Sequence, residues 1–103
     1  MITLFVYDIT SDRIRGKVAQ TCLDYGLKRI QYSAFLGELN LNRQEELWLK
    51  CRRQIGEAAG NLQLFVLTQQ DLARSRKYVS AGEPKEALPP LNPVVQLEKG
   101  AQV

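Results

Sequence analysis

Two segments that are apolar at both odd and even positions constrain the fold of this chain most strongly. They are ITLFVY (residues 2–7) and NLQLFVLT (residues 61–68). Because successive side chains of a β-strand point to opposite faces of a sheet, a strand of this kind has two faces to bury. We therefore predict two strands that are buried on both sides, the first of them central in its sheet.

The residues between these strands have the apolar spacing of two amphipathic helices. The first helix is predicted to begin at the cap candidates TSD (residues 10–12) and to end at Gly26, a natural helix stop. The second is predicted to begin at Asn42, where Glu45 three residues later completes a capping-box-like pair, and to end near Gly56.

The stretch LKRIQYSAFLGELN (residues 27–40) between the helices is β-branched and aromatic, which favours two short strands or one long bent strand. The resulting order predicts an α+β, ferredoxin-like βαββαβ fold with both helices on one face of a four-stranded antiparallel sheet. The other face is then open and lined by large apolar groups. We expect a second copy to cover it, giving a homodimer through the open sheet faces.

A chain of 103 residues has room for one compact domain. We place the ferredoxin-like domain at residues 1–80 and a Pro-containing C-terminal extension at residues 81–103, because all four prolines lie in the latter. Before the prolines, SRKYVSAG (residues 75–82) has the character of a further short strand. Within the extension, PVVQLE (residues 93–98) is the one apolar piece, and we expect it to add an edge strand to a sheet, either its own or the partner's.

Composition excludes several kinds of chemistry. The chain has no histidine, so it cannot form Ser/His or Cys/His nucleophile pairs or histidine-ligated zinc sites. Its two cysteines, Cys22 and Cys51, have no CxxC partner and fit buried reduced thiols. Any hydrolysis must therefore depend on carboxylates, a hydroxyl, lysine or a bound metal.

Location and charge are also constrained. No apolar stretch approaches the roughly 20 residues that cross a bilayer, and the start lacks the features of a secretory signal. We therefore expect a cytoplasmic protein with no membrane partner. The net charge is +3, and the excess of basic residues lies in residues 1–80, with 12 Lys/Arg against 8 Asp/Glu. This modest excess permits nucleic-acid binding only if the cations share one face.

Two motifs in order carry a resemblance. YDIT (residues 7–10), followed by a helix with basic residues and then GLKRIQYSAFLGEL (residues 26–39), resembles the CRISPR-associated small endonuclease family, the second core protein of the spacer-acquisition machinery. The likeness covers residues 1 to about 80. It implies a ferredoxin-like homodimer in which the aspartate ending the first strand lies close to its twofold mate, and the pair binds Mg²⁺ (or Mn²⁺) and cleaves a phosphodiester.

The resemblance also assigns residues. Asp8 takes the position of the metal-binding and catalytic aspartate, and Tyr7 precedes it as the second catalytic position. The positions at which family members keep residues that support activity are predicted here to bind nucleic acid, and they are Arg15, Lys17, Arg29 and Phe35. Lys17 stands where some relatives have arginine, and a lysine does not make the bidentate phosphate contact of a guanidinium.

The residues alone leave alternatives open. Asp8 precedes Thr10 and Ser11 closely enough to be a backbone cap or turn former. The aromatic rings of Tyr32 and Phe35 fit either a packed core or base stacking.

Two functions follow from the resemblance. The first is a metal-dependent endonuclease acting on RNA or DNA. The second is a purely structural, non-catalytic bridge that holds double-stranded DNA on a basic surface, including Lys50, Arg52 and Arg53, and docks the CRISPR integrase subunit at its ends. Outside the family, an RRM-like RNA-binding module shares the βαββαβ order. The role in spacer acquisition ranks first.

Overall fold

The elements follow one another along the chain in the predicted order, with one short helix added. The structure is a computed structural model, and it describes residues 1–81 together with the backbone of residues 96–99. The elements are β1 (Ile2–Ile9), α1 (Asp12–Asp24), β2 (Lys28–Gln31), β3 (Ala34–Glu38), α2 (Leu41–Ile55), β4 (Gly60–Leu67), α3 (Gln69–Ala73), β5 (Arg76–Val79) and β6 (Gln96–Lys99).

The first four strands form one antiparallel sheet in the order β2-β3-β1-β4. β1 is central, as predicted, and Leu4 lies between Leu36 of β3 and Phe65 of β4. β4 lies at an edge of this sheet, and its Phe65 and Val66 are 46% and 51% exposed. The predicted burial of this strand on both sides is therefore not seen within a single chain.

The main core lies between the sheet and both long helices. On β1 it takes the odd-numbered side chains, which include Phe5, Tyr7 and Ile9. Leu47 of α2 packs against them with no exposed surface. Val18 of α1 is equally buried in the same cluster. Since both helices contribute to one cluster with one face of β1, both lie on the same face of the sheet, as predicted.

Polar side chains set the helix starts. Ser11 accepts a hydrogen bond from the Ile14 N–H and caps α1, within the predicted TSD segment. For α2 the predicted start at Asn42 is wrong by two residues. Asn40, in an extended conformation, accepts from the Arg43 N–H at 2.8 Å and is the cap. Asn40 and Asn42 are both asparagines, a residue type that commonly caps a helix, and the helix begins after the first of them.

The segment between the helices forms two short strands, which resolves the open alternative. The chain turns at Tyr32 and Ser33 between β2 and β3. The Ser33 carbonyl accepts a hydrogen bond from the Tyr7 N–H at 3.1 Å. The turn is therefore attached to β1 directly, next to the end of that strand.

A second, smaller apolar cluster lies on the open face of the sheet. It contains Ile2, Leu36 and Leu72, with Leu4 and Leu67 packed beside them. Leu72 belongs to α3, which the sequence analysis did not predict. α3 therefore covers one end of the open face and leaves Phe65 exposed.

After α3 the chain forms β5, which lies in the predicted SRKYVSAG segment and pairs in parallel with β6. This two-stranded sheet is separate from the four-stranded one. Residues 96–98 of the predicted PVVQLE strand lie in β6, and residues 93–95 of it lie outside the described residues. Within the part of the chain that the structure describes, no helix is long and apolar enough to cross a membrane.

The cysteines match their prediction. Cys22 and Cys51 are free, have no exposed surface, and lie in the core between α1 and α2. A hydrogen bond with Cys51, together with burial, raises the pKa of the Cys22 thiol. That thiol therefore stays protonated at neutral pH and is not a nucleophile.

Candidate functional site

Asp8 lies one residue before the end of β1, between two buried neighbours. Tyr7 and Ile9 point into the helix-side core, whereas Asp8 is exposed on the open side. Within residues 1–81 its carboxylate makes no hydrogen bond or ion pair. The cap of the following helix is Ser11, so the alternative that Asp8 acts as that cap does not hold. Its carboxylate is open to a ligand.

The backbone around Asp8 is fixed on both sides. The Tyr7 N–H donates to Ser33 in the β2–β3 turn, and the Thr10 N–H donates to the Ala59 carbonyl at 3.2 Å. Opposite Asp8 on β4 lies Asn61. The exposed carboxylate is therefore held on a rigid strand end, as a site for a bound ion requires.

Tyr7 lies on the other face of the sheet from Asp8. Its ring is 2% exposed and stacks on Phe35 with centroids 6.2 Å apart. Its hydroxyl is buried and has no hydrogen-bond partner among the described residues. Burial raises the pKa of the Tyr7 phenol, and the nearby Arg29 guanidinium opposes that shift. Tyr7 is therefore a neutral phenol at neutral pH and is not placed to act as a base beside Asp8.

Arg15, in the first turn of α1, reaches back to the strand end. Its Nη1 donates to the Ile9 carbonyl at 2.9 Å, and its Nη2 pairs with the Asp12 carboxylate. Its guanidinium carbon lies 5.5 Å from the centroid of the Tyr32 ring. The hydrogen bond with Asp12 raises the pKa of Arg15. Three contacts thus hold this cation next to β1.

Arg29 lies on β2 among aromatic rings. Its guanidinium carbon is 5.2 Å from the centroid of Phe35 and 6.0 Å from that of Tyr32. Phe35 itself has no exposed surface. The Phe35 ring is enclosed by the core and supports Arg29, so any part it has in binding nucleic acid is through Arg29, and that role stays a prediction.

Lys17 does not join this group. Its side chain is exposed on α1, and two helical residues from Arg15 it points about 200° away around the helix axis. Basic residues also lie on α2. Arg52 and Arg53 line a depression of about 380 Å³ with Leu49 on the outer face of that helix.

Tyr32 was considered for core packing or base stacking but was not among the predicted site residues. It is 50% exposed and contacts both Arg15 and Arg29. The signal available in the sequence was its position in the turn of an aromatic, basic hairpin. Its contact with Arg15 depends on how α1 packs against β1, which no local pattern encodes.

The described residues of one chain do not form a complete metal site. Among the described residues no group of three or more His, Cys, Asp or Glu side chains is placed to hold an ion. Asp8 supplies one unpaired carboxylate with hard oxygen donors, which suit Mg²⁺ or Mn²⁺. The donor type fits such an ion, but further ligands must come from water, substrate or another chain.

A family model and several relatives match this chain. The model of the family described as CRISPR associated protein Cas2 matches residues 1–75. The CRISPR-associated endoribonuclease Cas2 of Desulforudis audaxviator (strain MP104C) is 46% identical over 88 residues, covering 84% of this chain and 83% of that relative. A CRISPR-associated endonuclease Cas1/endonuclease Cas2 fusion of Thermoproteus tenax is 35% identical over 75 residues, covering 73% of this chain and 28% of the fusion.

A solved structure agrees with the fold. The crystal structure of Streptococcus pyogenes Cas2 at pH 6.5 superposes with a TM-score of 0.60 at 23% sequence identity. The superposition covers 67% of this chain and 88% of that one. The matched family segment ends at residue 75, immediately before β5. The α+β fold is thus shared, and β5 and β6 lie beyond the segment that the family model matches.

Proposed function

Because this chain belongs to the CRISPR-associated protein Cas2 family, we propose that it acts in CRISPR adaptation as a dimeric, nucleic-acid-binding protein with metal-dependent endonuclease activity. The observation that carries the proposal is the Asp8 carboxylate, which is exposed, has no partner among the described residues and stands on a rigid strand end. Arg15 and Arg29 near the same strand end supply cations for backbone phosphates.

The open face of the sheet supports a homodimer. Phe65 is 46% exposed there, beside Leu4 and near the half-buried Val6. An exposed apolar face on a strand array is stabilised when a second copy covers it. Asp8 projects from the same face of β1, so a twofold axis that passes near the end of β1 would bring two Asp8 residues near each other. The strand order β2-β3-β1-β4 with both helices on one face supports the ferredoxin-like description.

The dimer would also complete the metal site. The described residues of one chain offer one open carboxylate at this strand end, Asp8. Mg²⁺ keeps several of its own waters, so one Asp8 from each of two chains suffices as protein ligands. A bound divalent ion supplies neutralisation of phosphate charge and activation of water. Asp8 would hold the ion on the open face, and Arg15 and Arg29, which lie on the helix side of the same strand end, would bind phosphates of the nucleic acid where it passes around that end. Dimerisation is then a requirement for cleavage.

A partner is suggested by the fusion relative. In that protein a Cas1 unit and a Cas2 unit share one chain. Units that are fused in one protein often associate as separate chains in another. We therefore propose the integrase subunit Cas1 as the partner of this chain.

The second candidate function is the non-catalytic DNA bridge. It is favoured by the exposed cations Lys50, Arg52 and Arg53 on the outer face of α2. A triple replacement of these residues by glutamate tests it, because a bridge depends on phosphate contacts along this surface. Weaker binding to double-stranded DNA with a smaller salt dependence supports the bridge, and unchanged binding at low salt removes these residues from it.

The experiment for the nuclease replaces Asp8→Asn, which keeps the size of the side chain and removes its charge. Cleavage of single-stranded RNA and of double-stranded DNA is followed with Mg²⁺ and with EDTA. The variant is expected to lose Mg²⁺-dependent cleavage and to keep nucleic-acid binding and association with Cas1. The matched control is Asp24→Asn, an exposed aspartate at the far end of α1, which is expected to cleave like the parent.

The outcomes separate the two functions. A variant that cleaves as fast as the parent removes Asp8 from the metal site. A parent that binds duplex DNA and Cas1 but cleaves nothing with Mg²⁺ or Mn²⁺ favours the bridge. A parent that stays monomeric at all concentrations and binds only RNA favours an RRM-like module.

A further inference from the structure

Two cations share one aromatic ring at the turn between β2 and β3. The guanidinium carbons of Arg15 and Arg29 lie 5.5 and 6.0 Å from the centroid of Tyr32. Both distances are within the range in which the negative face of a ring attracts a cation. Two like charges near the same ring repel each other, and the attraction of each to the ring offsets part of that repulsion.

Each cation is also held from a second direction. Arg15 donates to the Ile9 carbonyl and pairs with Asp12. Arg29 packs on Phe35, whose ring is fixed in the core. Tyr32 is the one member of the group with half of its surface exposed. The ring therefore links two otherwise separate cations, one on a helix and one on a strand.

This group is attached to both neighbours of Asp8. The turn that carries Tyr32 binds β1 through the Ser33 carbonyl and the Tyr7 N–H. Arg15 binds β1 through the Ile9 carbonyl. The positions of the two cations are thereby fixed relative to the strand end from which the Asp8 carboxylate projects.

We propose that Tyr32 is a positioning residue whose ring holds Arg15 and Arg29 to receive adjoining backbone phosphates of single-stranded RNA. The proposal rests on the proposed function, since it concerns how that site takes its nucleic acid. Cations held in place before binding lose little conformational freedom when phosphates arrive, which strengthens the contact. A phosphate that arrives there forms charge-assisted hydrogen bonds with guanidinium groups that are already oriented.

The test measures RNA binding without cleavage. A fluorescent single-stranded RNA is titrated in EDTA with protein carrying Asp8→Asn, over a series of salt concentrations. Each phosphate contact contributes about 0.7 to the slope of log affinity against log salt for a single strand. The slope therefore counts phosphate contacts, whereas stacking of a base on an aromatic ring leaves it unchanged.

Tyr32→Leu removes the ring and keeps apolar bulk. It is expected to weaken binding about tenfold at low salt and to reduce the slope by about 0.7 to 1.4, the value of one or two phosphate contacts. Tyr32→Phe keeps the ring and is expected to restore most of the affinity and of the slope. Arg15→Gln alone is expected to reduce the slope. In protein that already carries Arg15→Gln, Tyr32→Leu is expected to weaken RNA binding less than it does in the parent.

The matched control is Tyr25→Leu. Tyr25 also carries a cation over its ring, since the guanidinium carbon of Arg43 lies 4.5 Å from its centroid. It lies at the opposite end of α1 from Arg15. Its replacement is expected to leave the salt slope unchanged, and thermal unfolding of all variants shows that the fold is kept.

Three outcomes overturn the proposal. A Tyr32→Leu variant with parental affinity shows that the ring does not matter. A variant with weaker binding but a parental slope makes Tyr32 a stacking platform for a base and not a positioning residue. A parent that binds no single-stranded RNA at low salt overturns this inference, and if it also neither binds nor cleaves double-stranded DNA the proposed function fails with it. In the first two cases only this inference fails.

Discussion

Gly60 lies opposite Ile9 in the ladder between β1 and β4, and an added Cβ at this position would overlap the carbonyl oxygen of Asp8. Its φ of 151° lies where side chains are disfavoured. The close approach of β4 to β1 at the strand end therefore depends on a residue without a side chain. The position of Asp8 is coupled to this glycine.

Gly60→Ala is expected to destabilise the protein by about 1–3 kcal/mol, because the new methyl group must push two backbones apart. Urea unfolding at one fixed protein concentration measures the change, since a dimer unfolds in a concentration-dependent way. Displacement of Asp8 is expected to lower Mg²⁺-dependent cleavage in the remaining folded protein.

The matched control is Gly16→Ala. Gly16 lies inside α1, is exposed, and has no atom within 4 Å of an added Cβ. Alanine is the better helix former, so this variant is expected to be more stable by about 0.5–1 kcal/mol. Equal effects of the two substitutions would contradict the role assigned to Gly60.

Tyr7→Phe tests the buried hydroxyl. Because this hydroxyl has no hydrogen-bond partner among the described residues, its removal is expected to leave the free energy of unfolding unchanged or to raise it by up to about 1 kcal/mol at neutral pH. A loss of more than about 1 kcal/mol would show that the hydroxyl has a partner in the assembled protein.

The difference in unfolding free energy between the parent and Tyr7→Phe is expected to depend on pH. The folded-state pKa of Tyr7 is raised above the ordinary value of 10.0, mainly by burial. As the pH rises above the ordinary pKa of 10.0, the phenol ionises in the unfolded state before it does in the folded state. The parent therefore loses stability that the phenylalanine variant keeps. Unfolding free energies of both proteins at about pH 8 and about pH 11 are compared, and a difference that does not grow with pH would contradict the burial of this phenol.

Local patterns predicted much of the fold. Ser11 caps α1 because a short polar side chain before a helix satisfies a free N–H wherever the helix packs. The order of the strands and the two long helices followed from apolar spacing together with helix caps and β propensity, although residues 27–40 were left open between one strand and two. α3 also had a local signal, since Thr68 and Asp71 form a capping box with both hydrogen bonds in place, although the sequence analysis did not use it.

The candidate site was less predictable. Phe35 and Leu36 are adjacent and both apolar, so the pattern alone did not show which of them faces the helices. The structure places Phe35 under Arg29 and Leu36 on the open face. Tyr32 joins Arg15 only because α1 packs across the end of β1, a tertiary contact that spacing along the chain does not contain.

Phe65→Lys tests the proposed dimer. Phe65 is half exposed within one chain, so the charge is tolerated by the monomer fold, but it would be buried without a partner between two sheets. The variant is expected to be monomeric by analytical ultracentrifugation and to lose Mg²⁺-dependent cleavage together with dimerisation.

Leu23→Lys is the control for this substitution. Leu23 is 48% exposed on α1, on the helix side of the sheet. Its replacement is expected to leave the dimer and its cleavage intact. A Phe65→Lys variant that still dimerises would show that the interface lies elsewhere.

Asp71→Asn tests the short helix that covers the open face. The Asp71 carboxylate accepts a hydrogen bond from the Thr68 N–H at 3.1 Å, and its own N–H donates to the Thr68 hydroxyl at 3.0 Å. The hydrogen bond from the Thr68 backbone lowers the pKa of Asp71. A lowered folded-state pKa contributes stability that is present above the unfolded value of 3.8 and is lost as the pH falls through the folded value.

The variant is therefore expected to be less stable than the parent at neutral pH and to differ little from it in acid, where the parent's carboxylate is protonated. Loosening of α3 also uncovers part of the cluster around Leu72, so increased proteolysis between β4 and β5 is expected at neutral pH. Asp24→Asn is the control, because that aspartate lies at the end of α1, where a negative charge is unfavourable. If Asp71→Asn matches the parent at neutral pH in both unfolding and proteolysis, the capping box does not stabilise α3.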